Sequence, residues 1–410
     1  MNPRVIERSI LGKNGKKAIV VVGGAGAMGR ITVRDLVETA PDDVEVVIAD
    51  FNEPAARKLA RSFGRQRKVS AVAVDVKNVQ ETATALRGAF GVVAAVQHQY
   101  NLPVMETALA IGAHYCDLGG LFHFTRKQLL MNGRFQKAGL TALLGIGAAP
   151  GVVNIMARAA ADRMDEVHEI HILVGNVDLV TDRPKTALGT SYSLATILDE
   201  ASLPAAVFTD GKFKFVEAMS GIREVHFPAP VGLKRPACTI HSEVATLPLS
   251  FKNKGIREVS FRIAFAEELD EKLRFLAALG LASEKPIQVG KNQVIPRELL
   301  FALLRRIPAV DYAGAPNEYE VLRVEVRGSV GGRPVAEVLD CHVPGIPAWG
   351  IGVDVDTGCP PSIAMQMLAR GEITLRGAVP PERAVPVAPF FAELAKRGMR
   401  IERRTAARIA

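Results

Sequence analysis

The sequence predicts an α/β protein: a doubly wound parallel sheet, then a second, α+β domain on an open mixed sheet. Three features predict it. An apolar run at Ile19–Val22 leads into a glycine-rich turn and a helix. Apolar strands and helical segments then alternate over about the first 150 residues. After that the pattern changes to short strands and a hairpin through Gly331-Gly332, the mark of mixed rather than parallel pairing.

The first strand lies in AIVVV, where no polar residue interrupts the run, as expected of a strand buried on both faces. Gly24, Gly26 and Gly29 follow as G-x-G-x-x-G, and Arg30 to Glu38 continues as a helix. In such a motif the first glycine permits the tight turn, and the second lets backbone N–H groups approach a pyrophosphate. The third lets the helix pack against the strand with its dipole facing the phosphates. A second apolar strand, Val44–Ala49, ends at Asp50, where a carboxylate holds the ribose hydroxyls of a dinucleotide. That context makes the loop the phosphate turn of a Rossmann domain rather than an ordinary glycine-rich turn. Asp50 repels a 2′-phosphate and Phe51-Asn52 bring no arginine, so NAD is expected over NADP. Arg57 opposes that preference.

Glu53–Phe63 reads as a helix with Pro54 in its first turn. Val69–Val74 is a third strand, ending at Asp75-Val76 beside the adenine. Gln80–Leu86 is helical and Gly91–Val96 is the fourth strand. Asn101–Ile111 is a helix, His114–Leu118 a short strand, Phe135–Ala138 the end of another helix, and Thr141–Ile146 the sixth strand. Open sheets bind ligands at the carboxyl ends of their strands. That rule places Val96-Gln97-His98, Tyr115–Gly119 and Gly147–Asn154 near a nicotinamide. Cofactor contacts are therefore expected from Gly24, Gly26, Ala27, Met28, Gly29, Asp50, Asp75, Val76, Gln97 and Asn154.

Val167–Val174 is a strand whose His168 and His171 read as solvent-face residues, and no metal is assigned to them. Ser193–Glu200 is a helix, followed by short strands around Phe213–Val216, Glu224–Phe227 and Ala245–Pro248. Arg257–Ala266 is a strong strand, and Glu267–Leu279 an amphipathic helix ending at Gly280. Arg297–Arg305 is helical, Glu320–Val330 and Arg333–Val343 form the hairpin, and Cys359–Gly371 is the last clear helix. The divisions are 1–152 for the dinucleotide-binding domain, 153–345 for an α+β substrate domain, and 346–410 for C-terminal helices and the basic tail.

Composition excludes several classes. With 410 residues, 48% apolar and 23% charged, the chain is a globular protein of two or three domains. No apolar run approaches the ~18 residues of a membrane span, and the N-terminus lacks the apolar region of a secretory signal, so a cytoplasmic site is expected. Cys116, Cys238, Cys341 and Cys359 are scattered, against a disulfide framework or a cysteine zinc site. The net charge of +8 owes much to six basic residues between Lys396 and Arg408. A run of that kind reads as a solvated tail, and no basic–aromatic interleaving suggests nucleic acid.

The glycine loop, GAHYCDLGG (Gly112–Gly120), APGVVN (Ala149–Asn154), SYSLATILDE (Ser191–Glu200), PAAVFTDGK (Pro204–Lys212), HSEVATLP (His241–Pro248), TGCPPSIAMQMLARG (Thr357–Gly371) and VPPE (Val379–Glu382) together resemble the saccharopine dehydrogenase-like oxidoreductases. Within that family HSEVATLP and Asp50 look most like the lysine 6-dehydrogenases. The resemblance implies NAD(P)-dependent oxidation at the C–N bond of an amino acid, foremost deamination of L-lysine to the 6-semialdehyde. Imine reduction of the saccharopine reductase or carboxynorspermidine dehydrogenase kind is the alternative. It also implies a second domain, 153–345, whose sheet forms a dimer interface, C-terminal helices in 346–410 that return to the first domain, and a homodimer or higher homo-oligomer.

Such chemistry needs one or two titratable groups beside the ring. His98 is the first acid–base candidate, or a surface-loop histidine. Tyr115 and Asp117 lie two apart and share a side of their strand; Asp117 pairs with a substrate ammonium or caps the next turn. Asn154 bonds the carboxamide or caps its helix. Tyr192, His241 and Glu243 come from the second domain, the last two sharing a strand face if that segment is extended. Arg223 and Lys234 are candidate partners of a substrate carboxylate. A non-catalytic dinucleotide sensor is the competing class, and it would need no polar groups converging from the second domain.

Overall fold

The computed structural model describes residues 15–64, 69–180, 188, 193–307 and 316–407. Strands β1 (Lys17–Val22), β2 (Val44–Asp50), β3 (Val69–Ala73), β4 (Gly91–Ala94), β5 (His114–Asp117) and β6 (Thr141–Leu143) alternate with six helices. The helices are α1 (Ala27–Thr39), α2 (Glu53–Ser62), α3 (Val79–Ala85), α4 (Asn101–Ile111), α5 (Leu121–Leu129) and α6 (Asn132–Lys137). Then come α7 (Val152–Ala161), β7 (Glu166–Asp178), α8 (Leu194–Ser202), the hairpin β8 (Ala205–Thr209) and β9 (Lys212–Val216), and the short strands β10 (Val225–His226), β11 (Leu233–Lys234) and β12 (Ala237–Cys238). Next are α9 (Glu243–Ser250), β13 (Glu258–Ala264), α10 (Glu267–Ala278), β14 (Ile287–Val289), β15 (Asn292–Val294) and α11 (Pro296–Leu304). The long hairpin β16 (Glu318–Val330) and β17 (Arg333–Val343) precedes α12 (Val355–Ala369), β18 (Gly377–Val379), α13 (Pro381–Ala384), α14 (Val387–Lys396) and β19 (Arg400–Ala407).

The first sheet runs β18-β6-β5-β4-β1-β2-β3, every pair parallel. β1 and β2 are buried almost throughout, which is why their apolar runs need no alternation. The chain leaves β1 toward β2 and β3, then crosses to β4 on the other side. The crossing opens a crevice at the carboxyl end of β1, the switch point at which such sheets bind ligands. The second sheet runs β19-β17-β16-β7-β13-β8-β9, with β12 also beside β13. Only β7 and β13 among these pair in parallel, so the sheet is open and mixed as the sequence predicts. α7 joins the two: its Val152, Val153, Ile155 and Met156 are fully buried in one apolar core with strand residues of both sheets, such as Ile19 and Ile172.

The chain's end returns to the first sheet through close packing. A Cβ on Gly358 of α12 would stand 2.5 Å from Ile31 of α1, and Thr32 Oγ1 donates to the Gly358 carbonyl at 2.7 Å. Arg397, just past α14, donates to both carboxylate oxygens of Asp35 at 2.6 and 2.8 Å, with both side chains buried. Among the described residues, no helix is long and apolar enough to cross a membrane.

Three local expectations are corrected, and one strand the sequence did not predict is added. Ala245–Pro248 is part of helix α9, despite Pro248 inside it; burial of nearly the whole segment decides its conformation over the β-branched and proline residues that suggested a strand. α12 begins at Val355 rather than Cys359, because Pro360 and Pro361 lie inside the helix and not at its start. Ala205–Thr209 is a strand, paired with β9. The basic tail is no tail in its larger part: Arg400–Ala407 pairs antiparallel with β17, and Arg404 meets the buried Asp340 at 2.5 Å. That carboxylate arrives from 64 residues away, so charge counting along the chain misses it.

Candidate functional site

The glycine loop divides its labour among four glycines rather than three. The residue with positive φ (+73°) is Gly23, not Gly24, and a side chain there would strike the Ala95 carbonyl at 2.3 Å. A Cβ on Gly29 would lie 2.2 Å from the Gly23 carbonyl, so the close helix–strand packing does require that glycine. On Gly26 it would meet one atom within 4 Å, the same carbonyl at 3.1 Å. The fold thus leaves space at Gly26, where the motif needs backbone open to a pyrophosphate. Ala27 and Met28 form the first turn of α1, whose N–H groups have no intrahelical acceptor. Asp50 ends β2, 5% exposed, and accepts from the Ala25 N–H at 3.0 Å and the Asn52 N–H at 2.9 Å. It therefore holds the loop's shape, with further lone pairs to offer a ribose hydroxyl. Asp75, exposed, and Val76, half-buried, follow β3, and Gln97, exposed, follows β4. These groups rim the carboxyl edge of four neighbouring strands, and the donor set fits a dinucleotide.

Four expected site residues are taken up by the fold. Asp117 is fully buried and accepts from the Tyr115 hydroxyl (2.9 Å), Gln128 Nε2 (2.6 Å) and the Gly119 and Gly145 N–H groups (both 2.8 Å). Burial raises its pKa and those four bonds oppose the rise. Tyr115 and Asp117 are thus a buried tie of the turn, not groups facing a substrate. Asn154 accepts from the Gly151 N–H at 3.0 Å and donates to Thr246 and to the buried Glu382; its amide joins α7, α9 and α13 and is not presented to a carboxamide. Arg223 pairs with Glu325 at 3.1 Å in a recess on the second sheet that Glu169, His171, Glu258 and Arg262 also line. There Glu169, His171 and Glu258 bring ligand atoms within 4.8 Å of one another, but His171 is held by Ser260 and Glu169 by Arg327. Tyr192 lies outside the described residues.

His98 and the pair His241 and Glu243 are linked through consecutive residues of α8, whereas Lys234 lies on β11. His98 opens a short turn after β4, its ring edge-on to Phe124 with centroids 5.0 Å apart. Its Nε2 stands 3.7 Å from Asp199 Oδ2 of α8. Arg297 of α11 donates to the other Asp199 oxygen at 2.6 Å, to Glu284 at 2.9 Å and to the Ala282 carbonyl at 2.7 Å. His241 stacks on Phe261 of β13, 3.7 Å between centroids and 11° from parallel. Its Nδ1 bonds Glu243 Oε2 at 2.7 Å and its Nε2 faces Glu200 Oε1 at 3.7 Å. His241 and Glu243 therefore meet through a helix start rather than along a strand.

The two histidines are pushed toward different protonation states, His98 toward neutral and His241 toward cationic. Burial lowers the pKa of His98, and Arg297 adds to that, so the pull of Asp199 does not restore it. Burial would lower His241 too, but the carboxylates of Glu243 and Glu200 overcome it and push it up to about 10. Glu243 Oε1 is buried with no hydrogen-bond partner among the described residues, an acceptor awaiting a donor. Sequence reasoning missed Asp199, Glu200 and Arg297. Their signal was two consecutive acids closing an otherwise apolar helix.

Comparison with known proteins agrees with the two-part fold. Residues 19–143 match the saccharopine dehydrogenase NADP binding domain, and residues 147–399 match the saccharopine dehydrogenase C-terminal domain. A carboxyaminopropylagmatine dehydrogenase of Synechocystis sp. is 23% identical over 394 residues, covering 93% of this chain and 96% of that protein. A carboxynorspermidine synthase of Vibrio alginolyticus is 22% identical over 302 residues, 68% of this chain and 71% of its own. Among solved structures, the apo saccharopine dehydrogenase (L-Glu forming) of Saccharomyces cerevisiae superposes with a TM-score of 0.71 at 17% identity, over 95% of this chain and all of that one.

Proposed function

Because the chain belongs to the saccharopine dehydrogenase family, we propose that it interconverts a carboxyalkylated amine and its imine with NAD(H) favoured over NADP(H). The carboxyl edge of the first sheet holds the dinucleotide, and the two-histidine cleft handles protons at the reacting nitrogen. The observation that carries this reading is geometric: His98 from one domain and His241 from the other each face a carboxylate of α8, Asp199 and Glu200. A dinucleotide sensor has no need of such convergence. Of the two C–N reactions expected from the sequence, the carboxyalkyl-amine one is preferred because the curated relatives are named for carboxyaminopropylagmatine and carboxynorspermidine. L-lysine deamination is the second reading, supported by the presence of His241–Pro248 in the site.

Bound at the glycine loop, a nicotinamide cofactor supplies the hydride acceptor or donor. His98 presents Nε2 to Asp199, leaving Nδ1 to accept the proton of the substrate nitrogen. As the C–H hydride leaves, the nitrogen lone pair forms the C=N bond. His241 keeps its proton between Glu200 and Glu243, and Glu243 Oε1 takes a hydrogen bond from the substrate's nitrogen. In the reverse direction the hydride returns to carbon and His98 returns the proton.

The test is a panel of carboxynorspermidine, carboxyaminopropylagmatine, saccharopine and L-lysine, each with NAD and NADP, read by reduced-nicotinamide absorbance. Turnover of a carboxyalkyl-amine, faster with NAD, is expected. Turnover of L-lysine alone selects the second reading, and no turnover across the panel, with cofactor still bound, favours a sensor.

A further inference from the structure

Helix α8 is largely apolar, and its two consecutive acids, Asp199 and Glu200, each face a histidine, Asp199 while also pairing with Arg297. Its Ile197 and Leu198 are buried in a small core with Leu273 of α10 and Leu300 of α11, which fixes the helix rotation. Consecutive residues on a helix point about 100° apart, so Asp199 and Glu200 necessarily reach different partners. Asp199 reaches His98, and Glu200 reaches His241. Both acids are almost fully buried, and burying carboxylates is unfavourable unless something is gained from their charge.

We propose that Asp199 and Glu200 are positioning residues, one for each histidine of the cleft, so that the seating of α8 against the first domain orients both imidazoles together. The inference rests on the reading of His98 and His241 as the proton-handling groups. Arg297 is part of the device. Its three bonds, to Asp199, Glu284 and the Ala282 carbonyl, fix one Asp199 oxygen and leave the other toward His98. The groups facing His98 are Asp199, Glu200 and Glu284, which favour its charge, and Arg297, which opposes it. Those facing His241 are Glu243 and Glu200, both favouring charge. Adjacent sites are thus driven apart in protonation, the arrangement that separates a base from an acid.

One consequence concerns assembly. His98 belongs to the loop after β4, whereas its orienting carboxylate belongs to the second domain. The histidine acquires its partner only when the domains meet, as a site needs if protons are to move away from bulk water.

The test is a pH titration of the full chain carrying 13C-labelled histidine, followed by NMR, with His98→Gln and His241→Gln assigning the two resonances. Asp199→Asn is expected to lower the His98 midpoint and leave His241 in place. Glu200→Gln is expected to lower the His241 midpoint by more than it moves His98. Turnover of carboxynorspermidine with NAD should fall about tenfold to a hundredfold in each, the scale of a misplaced group, with cofactor KM unchanged. Asp199→Glu, which keeps a charge for Arg297, guards against loss of folding and should recover part of the turnover and of the titration. Histidine midpoints unmoved in the folded α8 variants overturn the proposal, whatever the melting temperature does. If His98→Gln retains full turnover, the acid–base reading fails instead, so the two failures are distinguishable.

Discussion

The cofactor edge and the histidine cleft lie at the same end of the first sheet, yet they are built in opposite ways. The edge is mostly backbone, and its core, Gly23 to Asp50, is one unbroken stretch of chain. The cleft is all side chain, drawn from residues 98, 199, 200, 241, 243 and 297. Backbone sites need particular conformations, which glycine announces in the sequence. Side-chain sites need particular neighbours, which only the fold supplies. Substitutions should therefore fail differently in the two regions.

The largest expected effect is in the cleft. His98→Gln removes the proton acceptor but keeps much of the shape, so turnover should drop about a hundredfold or more while the cofactor still binds. Glu243→Gln should lose comparable turnover and, unlike His98→Gln, also lose stability, because it leaves the buried His241 imidazolium with one carboxylate instead of two. Stopped-flow turnover beside urea unfolding separates the pair. A Glu243→Gln protein as stable as the wild type would place that carboxylate outside the charge balance of His241.

A control on the face of α1 that packs toward the chain's end sets the scale for stability. Asp35→Asn leaves the buried Arg397 with Glu393 as its remaining carboxylate partner, so the loss should stay below the ~3–5 kcal/mol of a fully broken buried ion pair. Unfolding midpoints should fall accordingly, with cofactor preference unaltered. A loss within the error of surface substitutions would mean that the C-terminal segment contributes little to holding the first domain.

His241 predicts a pH signature. Its folded pKa, about 10, stands above the ordinary 6.5, so over that interval the native state binds more protons than the unfolded chain. Its contribution to stability is complete below about pH 6.5 and is lost as pH rises toward 10, at no more than about 1.4 kcal/mol per unit. His98, shifted downward, contributes the opposite slope on the acid side: its preference for the neutral form is lost as pH falls below its ordinary range. Chemical unfolding between pH 7 and 10, compared with His241→Gln, should show the slope flattened in the variant. Parallel curves would mean that the imidazole is not charged in the native protein.

The same contrast explains what was legible. The glycine motif, the alternation of the first six strands and the Gly331-Gly332 hairpin each state their structure locally, and all are present. His98 was found because strand ends at a switch point form a short stretch. Asp117 was misjudged because its position is right and its partners are invisible: Gln128 and the Gly145 N–H bring donors to an acid that looked available. Asp199 and Arg297 could not be paired from sequence, since they lie 98 residues apart. The tail was misread for the same reason, because its countercharge, Asp340, sits on another strand.

The smallest effect belongs to Asp50, where the two kinds of site overlap. Its carboxylate does backbone work, holding the Ala25 and Asn52 N–H groups, and is also the residue expected to choose between cofactors. A substitution must therefore be read as a ratio. Asp50→Asn keeps one acceptor oxygen for the loop and removes the charge that repels a 2′-phosphate. Loosening of the loop weakens NAD and NADP alike, whereas loss of the charge favours NADP alone. The NAD:NADP ratio of Kd values should then shift toward NADP by about tenfold, near the 1.4 kcal/mol of a modest charge interaction. Asp50→Ser, which shortens the acceptor as well, should shift the ratio similarly and lower both affinities further. Fluorescence titration with each dinucleotide reads both quantities. If both affinities fall equally in Asp50→Asn and the ratio stays put, Asp50 belongs with the backbone-holding residues, and cofactor choice has to be sought in Arg57 and the exposed Phe51.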